Sequence, residues 1–427
     1  MKKTKLFTLL VCLISILSVS LIGCGTGGTN TGNTSDTTDN SERTSIKIGV
    51  PVPLTGGLAN FGTGSPFIEE LAAKAINDQG GIYIKELDKK LPVELIFMDT
   101  ESSQTKASEA ATKLVTENKV DMLVVRHTPD TVNPVSAVAE RYGVPCLSMD
   151  AASDAWLASG KHVWSYHAFW KVDSIYKTFE SIWEKAGLKG AKVGVVFPND
   201  PDGTTFSPIF AKGFKKDGFG MVDPGFVTSG TNDYTSIIKD FKDKGVEIVT
   251  GVNITPDFAT FWSQCQQLNF KPKMVTMGKA LLFKSDTMAL GVDNANGVTT
   301  EIWWTPDHPY VSSLTGQTGR EITDLWTAAT GTEWTQPMGY KYASIEVAID
   351  ILKRAASLDK ETIRQAMDAT DMTSLVGPIK FDDDNHCATP VVGGQWQKNA
   401  NGELELKIVT NDGYPEIALT GTLQTSN

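Results

Sequence analysis

The sequence predicts an α/β protein built as two doubly wound parallel-sheet lobes. Three observations lead there. Strand-like and helix-like segments alternate from Ile46 onward, the order that builds parallel β-α-β units. The strand segments are nearly continuous apolar runs, as expected where helices cover both faces of a sheet. At His162 the alternation starts afresh, so a second unit of like make follows the first.

Residues 46–52 read as the first strand. Ser65-Pro66 marks a helix start, with Ser as cap and Pro at the first helical position. That helix should run to about residue 79 and stop at Gly80-Gly81. Strands follow at 92–98, 121–125 and 144–148, separated by helices at 103–118 and 131–142. In the second unit strands are expected at 162–166, 193–197, 220–227, 246–251 and 273–277. Helices at 172–186, 204–216, 234–244 and 257–268 lie between them. Two long helices, 319–330 and 336–356, precede Ile379-Lys380-Phe381, a polar turn through 382–385 and a strand-rich tail. Ligands of open parallel sheets sit beyond the carboxyl ends of the strands, so two facing sheets put their ligand loops in the cleft between lobes.

The beginning of the chain reads differently. Lys2, Lys3 and Lys5 precede an apolar stretch over 6–22, the pattern of a secretory signal. Leu21-Ile22-Gly23-Cys24 resembles a lipoprotein signal, which implies a signal peptide over 1–23 and a diacylglycerol on the Cys24 thiol. An uncleaved anchor is the rival reading, but the run is short for a spanning helix, which needs ~20 residues. Residues 24–44 are mostly Gly, Thr, Ser, Asn and Asp, a composition that stays flexible and would tether the body to a membrane. No later run has the length of a membrane span. The net charge of -11 argues against nucleic acid as a partner. Cys146, Cys265 and Cys387 have long spacings and no C-x-x-C, so buried small hydrophobes are expected rather than a zinc or redox site.

Three stretches then carry a resemblance: Ile46-Lys-Ile-Gly-Val-Pro-Val-Pro-Leu-Thr-Gly-Gly-Leu-Ala-Asn-Phe-Gly62, Ala75-Ile-Asn-Asp-Gln-Gly-Gly-Ile82 and Ala139-Glu-Arg-Tyr-Gly-Val-Pro-Cys-Leu-Ser148. In order and spacing they resemble the branched-chain amino-acid-binding family of ABC-transporter receptors, with the periplasmic-binding-protein type I fold. The resemblance implies two lobes joined by three crossovers, placed near 165–172, 299–305 and 376–380. The first lobe would be 45–165 plus 305–375, the second 170–298 plus 380–427. It also implies a monomeric, lipid-anchored, extracytoplasmic protein that closes on a small-molecule ligand and presents it to ABC permease subunits in the membrane.

In amino-acid-binding members the loop after the third strand offers hydroxyls, and the loop after the fourth a backbone group and a Thr, to the ligand's carboxylate and ammonium. Here those loops read Arg126-His127-Thr128-Pro129-Asp130-Thr131 and Met149-Asp150-Ala151-Ala152-Ser153. The resemblance therefore places His127, Thr128, Thr131, Asp150, Ala152 and Ser153 at the site. The second lobe departs from the family. The usual carboxylate for the ligand ammonium falls within Gly278-Lys279-Ala280-Leu281, and usual tyrosines fall near Asn253, Thr255 and Asp202. Burying an ammonium without an opposite charge costs several kcal/mol. That shifts the expected ligand toward an aromatic or other carboxylate, paired by Lys279, Arg126 or His127. An α-amino acid stays open if Asp150 or Asp202 supplies the charge. Phe61, His167, Phe169, Trp170 and Trp303-Trp304 lie near the expected cleft; of these, Phe61 and His167 join the site candidates. The aromatics read as a box for a planar acid, as a cage for a quaternary ammonium, or as hinge and core packing.

An enzyme is the main rival class, yet no Walker loop, nucleophile elbow, H-E-x-x-H or Rossmann fingerprint occurs. No metal or cofactor is expected; Asp382-Asp383-Asp384-Asn385 lacks the EF-hand spacing. A sensor protein reporting to a separate signalling partner is the second rival.

Overall fold

The computed structural model describes residues 43–425. The expected signal peptide, Cys24 and the tether up to residue 42 lie outside them.

The body holds two large sheets. The first is six-stranded and wholly parallel, in the order His386–Cys387, Ser165–Ala168, Cys146–Met149, Met122–Arg126, Ile46–Val52, Val93–Asp99. The second is seven-stranded, in the order Leu404–Thr410, Val392–Lys398, Thr299–Ile302, Met274–Gly278, Ile248–Val252, Lys192–Val196, Gly220–Val222. It is parallel except at Val392–Lys398, which runs antiparallel to both its neighbours. The expected alternation is present because the central strands are buried on both faces: every residue of Met122–Arg126, Ile248–Val252 and Met274–Gly278 is buried.

The Pro337–Ala355 helix is buried along almost its whole length and packs against the Ser65–Asp78 helix. Gly339 permits the approach of Trp304, since a Cβ there would lie 2.3 Å from the indole. Trp183 is fully buried, and its Nε1 donates to Thr276 Oγ1 at 2.7 Å. Cys146, Cys265 and Cys387 are free and buried.

Several boundaries differ from expectation for local reasons. The helix expected from 131 begins at Thr128, because Pro129 sits in its first turn and continues it backward. The strand expected at 162–166 is Ser165–Ala168; His162 instead stacks on Trp156, ring centres 3.7 Å apart. The expected crossover at 299–305 begins with a strand, Thr299–Ile302, of the second sheet. The one at 376–380 falls in a hairpin of Asp371–Ser374 with Gly377–Lys380. His386 and Cys387, expected in the second lobe, pair with His167 and Ala168 at the edge of the first sheet.

Candidate functional site

The carboxyl ends of the two sheets face a cavity lined by Phe61, Thr128, Asp150, Phe169, Trp170, Asp202, Lys279, Glu301 and Trp303, among others. It is narrow, ≈30 Å³, room for about one water molecule. An organic solute enters only as the walls part. Larger hollows of ≈360 and ≈570 Å³ lie elsewhere. Their linings include exposed charged side chains such as Lys177 and Asp412, or Arg320 and Glu403, so size alone does not place the site.

The first wall comes from two strand ends. Beyond Met122–Arg126 the backbone turns left-handed at His127 (φ 73°) and Thr128 (φ 55°); beyond Cys146–Met149 it does so at Asp150 (φ 49°). Three adjoining non-glycine residues in that region are strained, and such strain gathers at functional sites. Asp150 Oδ1 accepts the His127 backbone N–H. Its Oδ2 lies 3.4 Å from His127 Nδ1 and has no hydrogen-bond partner. Burial works against the Asp150 charge, but His127 and Arg126 outweigh it and hold its pKa below the ordinary value. Burial pulls His127 down to about 4, so it is neutral at pH 7. Behind this wall Arg126 pairs with Glu69, both fully buried. Burial pushes Glu69 up to about 7 against the pull of Arg126, and it draws Lys341, whose Nζ donates to Thr63 O at 2.6 Å, down to about 7.

The second wall is internally paired. Lys279 Nζ donates to Asp202 Oδ2 at 2.7 Å, and the Lys279 backbone N–H to Glu301 Oε1 at 3.0 Å. Burial opposes the Lys279 charge, yet Asp202 and Asp200 outweigh it and raise its pKa. Burial pushes Glu301 up to about 7. Asp202 is set by the Pro201–Asp217 helix, whose N-cap Asp200 accepts the Gly203 N–H at 2.8 Å.

Aromatic rings close the sides. Phe169 meets Trp303 edge-on at 5.0 Å, and Trp170 meets Phe206 edge-on at 6.1 Å. The indole Nε1 atoms of Trp170 and Trp303 and the Thr128 hydroxyl are buried without partners. Phe61 is seated because a Cβ on Gly62 would lie 2.0 Å from the Pro53 carbonyl, so only glycine lets the chain close there. Phe61 packs edge-on against Phe283 at 5.1 Å, and Asn60 Nδ2 donates to Asp286 Oδ2 at 2.8 Å. Lys284 Nζ bonds Glu333 at 2.8 Å.

Of the residues expected at the site, the structure brings Phe61, Thr128, Asp150, Ala152, Asp202 and Lys279 to this one cavity. Thr255 lines an adjoining recess of ≈160 Å³ with Phe61 and Lys279. The others fall outside the lining. Thr131 is buried within its helix. Ser153 Oγ donates to Phe169 O at 3.0 Å, and Asn253 Nδ2 to Val196 O at 2.8 Å. His167 has both nitrogens engaged at 2.8 Å, with Ser148 Oγ and Ala151 O. A carbonyl only accepts, so Nε2 carries the proton; burial holds the ring neutral, with a pKa of about 3. Glu301, Phe206 and Leu282 were not among the expected site residues. Phe169, Trp170 and Trp303 were signalled only by their density near the crossovers.

The model of the periplasmic binding protein family matches residues 45–402. The chain belongs to that family. This periplasmic binding protein is therefore a solute-binding protein and not an enzyme. Among curated relatives, a Leu/Ile/Val-binding protein homolog 7 of Brucella abortus (strain 2308) is 24% identical over 391 residues, covering 87% of this chain and 92% of its own. Among solved structures, the branched-chain amino acid substrate-binding protein LivJ of Streptococcus pneumoniae, in complex with isoleucine, is similar with TM-score 0.71 and 20% identity. It covers 86% of this chain and 99% of its own. A solute-binding protein of R. palustris in complex with 4-hydroxybenzoate is similar with TM-score 0.70 and 18% identity, covering 86% and 96%. At such identities the likeness is one of fold, the type I binding-protein architecture. Among the described residues no helix is long and apolar enough to cross a membrane, and no cluster of His, Cys, Asp and Glu could hold a metal ion.

Proposed function

We propose that this periplasmic binding protein is the extracytoplasmic receptor of an ABC importer. It takes a small organic solute into the cavity between its sheets and hands it to permease subunits in the membrane. The observation that carries this reading is the set of buried, unpartnered polar atoms on residues lining one cavity: Thr128 Oγ1, Asp150 Oδ2, Trp170 Nε1 and Trp303 Nε1. Buried polar atoms ordinarily find partners, and a solute would supply them here. The two lobes hinge apart to admit it, and the bound solute favours the closed form by its higher affinity for that form. The first lobe takes 45–165 plus 305–375, extended to His386 and Cys387, and the second takes 170–298 with the strands from 392 onward. A lipid on Cys24 and the tether after it would hold a monomeric body at the membrane.

The expected ligands were an amino acid or, in preference, an aromatic or other carboxylate. The pairing of Lys279 with Asp202 removes the main support for the carboxylate, because the ammonium is already neutralised. The reading is tested by a thermal-shift screen of amino acids, organic acids and amines, followed by small-angle scattering with each hit. A solute that raises the melting temperature by mass action and shrinks the radius supports it. A screen with no solute that does both contradicts it.

A further inference from the structure

We propose that the solute recognised by this cavity is an organic amine, a cation carrying at least one N–H and an apolar or flat body, without a carboxylate. The inference rests on the receptor reading above and narrows its substrate class. The cavity lining holds three carboxylates, Asp150, Asp202 and Glu301, and one cation, Lys279. Lys279 is already met by Asp202 at 2.7 Å. Asp150 lines the cavity and its Oδ2 is buried without a hydrogen bond; the basic group beside it, His127 Nδ1 at 3.4 Å, belongs to a neutral ring.

The cations behind the wall do not change this balance. Arg126 is answered by Glu69, and the buried Lys341 donates a hydrogen bond to the Thr63 carbonyl. Counting this inner layer and Asp200, five carboxylates face Arg126, Lys279 and Lys341. Burial pushes Glu69, Glu301 and Asp200 up to about 7, 7 and 6, and the neighbouring acids, Asp150 for the first and Asp202 for the other two, add to that rise. An entering cation relieves that excess. An entering carboxylate adds to it and finds only neutral donors, the Thr128 hydroxyl and the indole N–H groups of Trp170 and Trp303. The N–H requirement follows from Oδ2, an acceptor without a donor, which a quaternary ammonium cannot supply. The Phe61, Phe169, Trp170, Phe206 and Trp303 rings suit the cation's body and attract its charge.

The test is calorimetric titration of the purified full chain with two matched sets: 3-methylbutylamine, leucine and 4-methylpentanoate; and 2-phenylethylamine, phenylalanine and 3-phenylpropionate. In at least one set the amine should bind about tenfold or more tighter than the amino acid, with no heat from the acid. An amino acid or acid that equals or exceeds its amine in both sets overturns the proposal, as does the absence of binding by both amines. Asp150→Asn should lose amine affinity by at least about tenfold. Asp202→Asn frees the Lys279 ammonium and should admit the matched acid; unchanged selectivity in both variants overturns the proposal too. The receptor reading fails separately: a carboxylate or amino acid that binds and compacts the scattering radius keeps the receptor and sinks the amine.

Discussion

On the first wall of the cavity, Asp150 keeps a carboxylate oxygen without a hydrogen bond, beside an unpartnered Thr128 hydroxyl and a neutral His127. On the second wall, Lys279, Asp202 and Glu301 meet one another at 2.7 and 3.0 Å. Both walls bury charge, but only the second satisfies it internally. A buried polar group left unpaired costs about 1–3 kcal/mol, so the first wall holds free energy that a solute can recover. The second wall is a finished surface against which that solute is pressed. Selectivity should therefore respond directly to Asp150 on the first wall, and to the second wall only where its Lys279–Asp202 pairing is broken.

The largest expected effect lies behind the first wall. Arg126→Met strands Glu69 in the core and should cost about 3–5 kcal/mol, read by urea denaturation. Replacing both partners, Glu69→Leu with Arg126→Met, should recover most of that loss; a double variant as unstable as the single one would break the pairing account. Next, His167→Ala should cost about 2 kcal/mol through its two hydrogen bonds and its packing on Trp156, while solute selectivity stays as in the parent protein. A change of selectivity would move His167 back into the site.

The second wall offers a pH test. Glu301 has a pKa of about 7 in the folded protein against 4.5 ordinarily. Between those values the native state holds a proton that the unfolded chain has released, so its contribution to stability falls as pH rises from 4.5 to 7. Glu301→Gln cannot titrate and should gain on the parent protein across that window by roughly 3 kcal/mol. Melting curves that run parallel with pH would contradict the burial of a protonated Glu301. The smallest effect is expected at the surface, where Lys284 bonds Glu333 and both groups are partly in water. Lys284→Met should change stability by about 0.5 kcal/mol or less and shift solute affinity only about twofold.

Much of this was legible in the sequence where local chemistry decides. The helix expected over 319–330 is Gly319–Thr330, because Thr318 and Glu321 form a reciprocal capping box. The strand at 46–52 is Ile46–Val52, a run of apolar residues. Asp150 and Lys279 could be read as cleft residues because charge at the carboxyl end of a buried strand has few other uses. What could not be read depends on neighbours distant in the chain. His167 looks like a ligand until Ser148 and Ala151 arrive from the adjoining strand and loop to take both nitrogens. Glu301 enters the site only because Thr299 registers beside Thr276, bringing the carboxylate to the Lys279 backbone. Likewise, nothing local tells His386 and Cys387 to return to the first sheet.

The claim that this cavity receives the solute is tested most directly by its indole protons. Trp170 and Trp303 have unpartnered Nε1 atoms at the cavity. Those of Trp156, Trp183 and Trp304 already donate to Ser136, Thr276 and Leu375. In a ¹H–¹⁵N spectrum with resonances assigned by Trp→Phe variants, adding a solute that raises the melting temperature should move the Trp170 and Trp303 indole signals. The Trp156, Trp183 and Trp304 signals should stay in place. Stationary Trp170 and Trp303 signals with a saturating solute would contradict the account and send the search for the site to another part of the molecule.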